Sequence, residues 1–256
     1  MDAELPTPAM PERLPVLYRD EHMVVVDKPS GLLVHRSPID RHETRFVLQI
    51  VRDQLGQRVF PVHRLDKPTS GALVLALHAD AARALATAFA GHGVTKTYRA
   101  LVRGWPATQA TIDRPLAAVE DERIRSHSLE LREAVTRLQR LAAYEVEVRV
   151  DRYPTSRYAL VALEPLSGRR HQLRRHLAGA SHPIVGDTTY GKGRHNRLFT
   201  ERFGSRRLLL ACTRLVLSTT PGGKPLVIEA PLAPEFAAVI ARLEADHAVD
   251  VSRASP

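Results

Sequence analysis

The chain has 256 residues, 44% of them hydrophobic, which is enough to bury a real core in one large or two small domains and excludes a fibrous or disordered protein. Lys and Arg number 37 against 28 Asp and Glu, so the net charge of +9 favours an anionic partner, nucleic acid first. No apolar run approaches the roughly 20 residues of a membrane span, and residues 1–15 are acidic and Pro-rich rather than shaped like an export signal, so no membrane partner is expected. A single cysteine, Cys212, forbids an internal disulfide and suits a reducing cytoplasm. A monomer is expected, with Cys212 as a small core residue.

Residues 1–13 lack periodicity and are expected to form a mobile arm, with the fold beginning at Leu14. From Pro15 the pattern predicts a strand, a tight polar turn and a second strand, delivering a loop at Lys28-Pro29-Ser30-Gly31. Apolar residues at Phe46, Leu48, Ile50, Val51 and Leu55 predict a helix over Arg45 to Leu55, and Ala79 to Ala90 predicts another. Strands are predicted at 72–77, 97–102, 144–150, 157–163, 208–217 and 226–228, and helices at 169–180 and 234–245. Residues 118–140 are charged and loosely patterned, which suggests a solvated excursion or a lid. Many strands with scattered helices and no strand–helix alternation predict an α+β fold with a central, mostly antiparallel sheet flanked by helices and loops. One catalytic domain over 14–245, followed by a tail at 246–256, is the expected organisation.

Three stretches carry chemistry. In His63-Arg64-Leu65-Asp66-Lys67-Pro68-Thr69-Ser70-Gly71 a carboxylate is boxed between two cations on a loop stiffened by Pro68, and Gly71 permits close approach or positive φ. Taken alone, Asp66 could equally form a turn at a strand entry. In Lys96-Thr97-Tyr98-Arg99-Ala100-Leu101-Val102-Arg103-Gly104, alternation puts Lys96, Tyr98, Ala100 and Val102 on one face; Tyr98 by itself would most often be sheet packing. In Gly168-Arg169-Arg170-His171-Gln172-Leu173-Arg174-Arg175-His176 the cations repel one another unless phosphates or a carboxylate hold them, and the bland alternative is a solvated RNA-binding face. His171 and His176, five residues apart, do not share a helical face, and no His-Glu-x-x-His pattern or second cysteine accompanies them, so no metal is expected. No glycine-rich phosphate loop supports a nucleotide cofactor either.

The first stretch resembles the signature motif of the RluA-type pseudouridine synthases, and the second and third look like that family's next two motifs. His182-Pro183-Ile184-Val185-Gly186-Asp187 and Tyr190-Gly191 follow in the family's order. The resemblance spans roughly Val16 to Pro231 and implies the pseudouridine synthase catalytic fold. It implies isomerisation of an RNA uridine without a cofactor. Asp66 is then the catalytic carboxylate, Tyr98 the ring that stacks on uracil and could take the C5 proton, and Arg174 the cation that pairs with Asp66. Arg64 fills the space of the flipped base. His63 and Leu173 join the substrate-contacting set, and Lys28, Lys96, Arg169, Arg170 and Arg175 would hold phosphates.

Within the family, Asp27 to Ser37, Val51 to Gln57 and Arg152 to Tyr158 are similar to members directed at uridine 65 of tRNA, which makes tRNA the expected partner, with rRNA or several RNAs as the alternative. With only about a dozen residues before the first strand, the S4-like domain of many rRNA-directed relatives is not expected. A non-catalytic RNA-binding protein would be expected to lack Asp66, Tyr98 or Arg174, and all three are present. A two-carboxylate glycosidase would need Asp187 as its second acid, a residue better suited to buttressing loops.

Overall fold

A computed structural model describes residues 13–36, 42–91, 93–117, 130–218 and 224–250. The expected arm at 1–13, apart from Arg13, lies outside the described residues, as do positions 118–129 of the charged segment and 251–256 of the tail.

In chain order the elements are β1 (Val16–Arg19), β2 (Met23–Lys28), α1 (Val47–Leu55), β3 (Phe60–Pro61), β4 (Ser70–Ala76), α2 (Ala79–Ala90), β5 (Val94–Arg103), β6 (Gln109–Asp113), β7 (Leu116–Ala117), β8 (Leu131–Arg132), β9 (Val135–Val146), β10 (Ser156–Pro165), α3 (Gln172–Gly179), α4 (Gly193–Phe203), β11 (Leu210–Leu217), β12 (Leu226–Glu229), α5 (Pro234–His247) and β13 (Ala248–Val249). One large sheet runs β1-β2-β4-β11-β5-β10-β9-β13, with β12 added to β11, β3 to β4 and β6 to β9. Its strand pairs are antiparallel except β4 with β11. This is the α+β, mostly antiparallel architecture that the sequence predicts.

Side-chain alternation builds a core on each face of the sheet. Tyr98, Ala100 and Val102 of β5 join Ala159, Val161 and Leu163 of β10 in one core, with Val47, Ile50 and Val51 of α1 and Leu173 and Leu177 of α3. Leu101, Tyr158 and Leu160 point the other way, into a second core closed by Leu198, Phe199 and Phe203 of α4 and by Phe236, Val239, Ile240 and Leu243 of α5. β4 lies in the sheet interior and all seven of its residues are buried, which is why it reads as an unbroken apolar run.

β11 sets the register that matters for the site. Cys212 lies opposite Gly71 on one side and opposite Tyr98 on the other. At Gly71 φ is +107°, and a Cβ there would sit 2.1 Å from the Cys212 carbonyl oxygen, so this position requires glycine on both counts.

Several elements depart from the sequence pattern. The helix predicted from Arg169 starts at Gln172, because the Gln172 side chain turns back to accept hydrogen bonds from the Arg169 N–H (3.0 Å) and Ser167 Oγ (2.8 Å), while His171 adopts left-handed backbone angles, φ 54° and ψ 25°. The strand predicted at 144–150 is the end of β9, which begins at Val135, inside the segment expected to be a solvated excursion; β8 lies there too. Thr136, Leu138 and Arg140 alternate inward, and because two of these three buried positions are polar the strand carries no apolar alternation. Residues 246–250, assigned to the tail, complete α5 and form β13, which pairs with Tyr144 and Ala143 of β9. α4 and β6 had no counterpart in the sequence pattern.

Candidate active site

The loop from His63 to Gly71 is clamped from behind by the segment that follows β2. The carbonyl of Asp66 accepts the Thr69 N–H (3.0 Å), that of Lys67 accepts the Gly31 N–H (2.8 Å) and Lys28 Nζ (3.1 Å), and that of Pro68 accepts Ser30 Oγ (2.7 Å). Three successive carbonyls are thus satisfied, which fixes the loop without using the Asp66 side chain. Arg207 Nη2 donates to Ser70 Oγ (2.6 Å) at the loop's exit, a contact that nothing in the sequence advertises. His63 Nε2 accepts the Val74 N–H (2.9 Å) and the ring stacks on Phe89 at 4.2 Å, so His63 ties the loop to β4 and α2. Burial, assisted by the neighbouring charge of Lys96, pushes this imidazole down to about 3 and keeps it neutral.

Asp66 projects into a cleft of about 930 Å³ whose wall includes Arg64, Lys96, Tyr98, Arg169, Arg170, His171, Leu173 and Arg174. Its side chain is 18% exposed, with Arg174 Nη1 3.5 Å from Oδ2 and His171 Nε2 3.9 Å from Oδ1. Arg174 therefore faces Asp66 as the resemblance implies. Its tighter partner is Asp187, reached through parallel bonds of 2.8 Å from Nε and Nη2. Asp187 is buried and also accepts the N–H groups of Thr189 (2.9 Å) and Tyr190 (3.0 Å). Burial alone would push its carboxyl up; the Arg174 hydrogen bond and these two backbone donors outweigh it, so the net shift is downward. Asp187 thus buttresses the cation that faces Asp66. Tyr190 completes the cluster, with its hydroxyl 2.9 Å from His171 Nδ1 and its ring 5.1 Å from the Arg174 guanidinium.

Tyr98 lies on the cleft floor with only 8% of its surface exposed. Burial first, then the Cys212 thiol and the Asp66 carboxylate, push its hydroxyl well above the ordinary 10. Cys212, beneath it, is fully buried and its thiol is pushed up to about 12 by burial, in line with a core role.

The expected substrate and phosphate contacts divide into two groups. Arg64 is exposed at the cleft, Arg169 is exposed and donates through Nε to the Glu133 carbonyl (2.9 Å), and Arg170 lines the same wall. Lys96 is half-buried with its ammonium 5.9 Å from the Phe89 ring centre, and Leu173 packs into the core under the cleft. Lys28 is different. It has no exposed surface, sits behind the loop, and donates to the carbonyls of Pro29 (2.9 Å) and Lys67 (3.1 Å), so the geometry gives it a structural place instead of a phosphate contact. Arg175 donates to the Ala117 carbonyl at 2.9 Å and is outside the cleft wall. His176 is also occupied, between Thr136 Oγ1 (2.9 Å) and the Arg114 carbonyl (3.0 Å). Among the described residues no helix is long and apolar enough to cross a membrane.

A carboxylate facing a guanidinium over a buried aromatic floor, inside a basic cleft, agrees with what comparison finds. Residues 22–179 match the family model described as RNA pseudouridylate synthase. The tRNA pseudouridine synthase C of Vibrio parahaemolyticus is 45% identical over 240 residues, 93% of this chain and 98% of that protein. The protein of the same name from Salmonella typhi is 48% identical over 86% of this chain and 85% of its own length. Among solved structures, human RNA Pseudouridylate Synthase Domain Containing 4 superimposes with a TM-score of 0.68 at 27% identity, covering 90% of this chain and 92% of that one. Motif order, cleft geometry and a match across most of the chain converge, and the chain belongs to the RNA pseudouridylate synthase family.

Proposed function

We propose that this protein converts a uridine of tRNA, at position 65, to pseudouridine, and does so as a monomer in the cytoplasm without a cofactor. The observation that carries the reading is Asp66, which reaches into the basic cleft with Arg174 3.5 Å away. Names borne by relatives of 45% and 48% identity support tRNA as the substrate.

The target nucleotide leaves its helix and enters the cleft, and Arg64, exposed on the Asp66 loop, occupies the vacated stack. The uracil lies against the Tyr98 ring. Asp66 acts on the ribose, by attack at C1′ or by taking the C2′ proton, and the N1–C1′ bond breaks. The detached base turns and its C5 bonds to C1′, displacing the Asp66 carboxylate or, on the other route, with return of the C2′ proton; C5 then gives up its proton, with Tyr98 as the candidate acceptor, and N1 gains one. Arg174, held by Asp187 on its other edge, stabilises the carboxylate while bound RNA displaces water around it. Arg169, Arg170 and Lys96 hold phosphates, so affinity falls steeply with salt.

The test is pseudouridine mapping in tRNA and rRNA from cells with the gene, without it, and with Asp66→Asn. The expected result is loss of one tRNA pseudouridine in the latter two, while purified Asp66→Asn still binds tRNA. Full activity of Asp66→Asn would overturn the assignment, and loss confined to rRNA would overturn the substrate.

A further inference from the structure

The stretch from Arg152 to Tyr158 takes no part in the cleft. Arg152 and Tyr153 belong to the loop between β9 and β10, and with Arg103, Asp151 and Arg194 they line a second concavity of about 470 Å³. Arg103 follows Tyr98 by five residues on β5, so strand alternation aims it away from the cleft, toward the face that carries the second core. The two sites are separated by about 17 Å along the strand and by the thickness of the sheet.

The floor of this concavity is held in place by a buried cluster. His195 is buried, with Nδ1 2.7 Å from the Tyr158 hydroxyl and Nε2 3.1 Å from both Asp151 Oδ2 and Arg103 Nε. Arg103 Nη2 donates to Asp151 at 2.9 Å. The His195 hydrogen bond, with the charges of His195, Arg103 and Arg194, outweighs burial and holds the Asp151 carboxyl below its usual range. Its negative charge is thus matched by Arg103 before any ligand arrives. Ser156 Oγ donates to the Val148 carbonyl (2.8 Å) and Thr155 Oγ1 to Glu145 (2.6 Å), which ties the two sides of the loop together.

The rim differs from the floor. Arg152 and Arg194 are exposed, and among the described residues neither makes an ion pair. Tyr153 is 57% exposed, a large aromatic side chain left in water, with the Arg152 guanidinium 4.6 Å from its ring centre. A guanidinium without a carboxylate suits a phosphate, which it meets with parallel bonds. An exposed ring beside it is a surface on which a base stacks. The concavity has room for one nucleotide.

Resting on the proposed function, we infer that this concavity holds an unpaired nucleotide of the same tRNA, remote from the uridine that reacts: Arg194 and Arg152 hold its phosphate while its base stacks on Tyr153. A duplex fits less well, because its bases are hidden from a stacking ring. An acidic protein segment fits less well too, since its carboxylates would use the arginines and leave Tyr153 in water. Two contacts made by one RNA reinforce each other only when its fold spans both sites. The concavity therefore selects an RNA by its overall shape, whereas the cleft acts on a single nucleotide.

The experiment compares full-length tRNA with a short hairpin that carries the target uridine in its stem and no other tRNA segment. The proteins are the full-length wild type, Tyr153→Ala, Tyr153→Phe and the double variant Arg152→Ala/Arg194→Ala. Affinity over a range of salt, kcat, KM and melting temperature are measured for each. On tRNA, Tyr153→Ala is expected to weaken binding about 10-fold with kcat unchanged, and Tyr153→Phe to bind as wild type does. The double variant should lower the slope of log affinity against log salt by about 1.4, for two contacts to a single strand. On the hairpin every variant should match the wild type in affinity and kcat, and all should melt as wild type does. Equal losses on both RNAs, or undiminished affinity for tRNA, would overturn the inference. Undiminished tRNA affinity together with binding of free uridine monophosphate or inorganic phosphate that the double variant loses would assign the concavity to a free ligand. A wild-type chain that forms no pseudouridine in tRNA would instead overturn the proposed function.

Discussion

Removing Asp187 should damage this protein more than its distance from the motif loop suggests. Asp187→Ala leaves the Arg174 guanidinium, whose side chain is 5% exposed, without its bidentate partner. Breaking a buried pair in this way costs about 3–5 kcal/mol. Arg174 keeps Asp66 at 3.5 Å and the open cleft on that edge, which favours the lower end. The orphaned N–H groups of Thr189 and Tyr190 add about 1 kcal/mol each. The sum is about 5 kcal/mol, or a fall in Tm of about 10–20 °C for a chain of this size. Asp187→Asn keeps the shape and one acceptor for the backbone donors, so its loss should be roughly half as large. Urea and thermal unfolding at several pH values read both variants. Because the folded-state carboxyl of Asp187 titrates below its unfolded value of about 3.9, its contribution is complete above that pH and disappears as the pH falls through the folded value. The gap between wild type and Asp187→Asn should therefore narrow below about pH 4. An Asp187→Ala protein within about 1 kcal/mol of wild type, or a gap that stays constant into acid, would refute the reasoning.

Arg174→Lys should lower kcat by about 10²-fold or more while changing tRNA affinity little, because one ammonium cannot bond both Asp187 oxygens and still face Asp66. Equal losses in kcat and affinity would point instead to a phosphate-holding role. Burial depresses Lys28 from 10.5 to about 7, so between those values the unfolded chain binds more protons and this group makes stability rise with pH, by at most about 1.4 kcal/mol per unit. Lys28→Met should flatten that rise, and identical slopes of stability against pH above 7 would contradict it. Gly71→Ala, which drives a methyl into the Cys212 carbonyl at an unfavourable φ, should abolish soluble folded protein; a wild-type melting curve would count against the strand register.

Much of this molecule is legible in its sequence where burial follows apolar character. β4 shows as an unbroken apolar run and the two faces of β5 as an alternation, and the motif loop announces itself through Pro68 and Gly71. Legibility fails where polar residues are buried. α4 reads as a charged stretch because its inward face includes His195 and its outward face carries Arg194, Arg197 and Arg202. Lys28 looks like a surface cation, and only the packing of one loop against another shows that it sits in the interior. Arg174 was recognisable as a partner for Asp66. Its division between two carboxylates was not, since that depends on how the loop after α3 folds back to bring Asp187 beneath it. The start of α3 moved by three residues for a similar reason, because the Gln172 side chain competes with the backbone for the Arg169 N–H.

The alignment of Gly71, Cys212 and Tyr98 across three adjacent strands fixes the gauge of the reaction chamber. Two strand spacings, about 10 Å, separate the backbone at the exit of the Asp66 loop from the backbone under the aromatic floor. That span is set by main-chain hydrogen bonds in the sheet interior and not by adjustable side chains. The chamber therefore works as a rigid template, and the rearrangement that the chemistry demands falls to the RNA: the nucleotide must swing out, turn and settle against a frame that holds still.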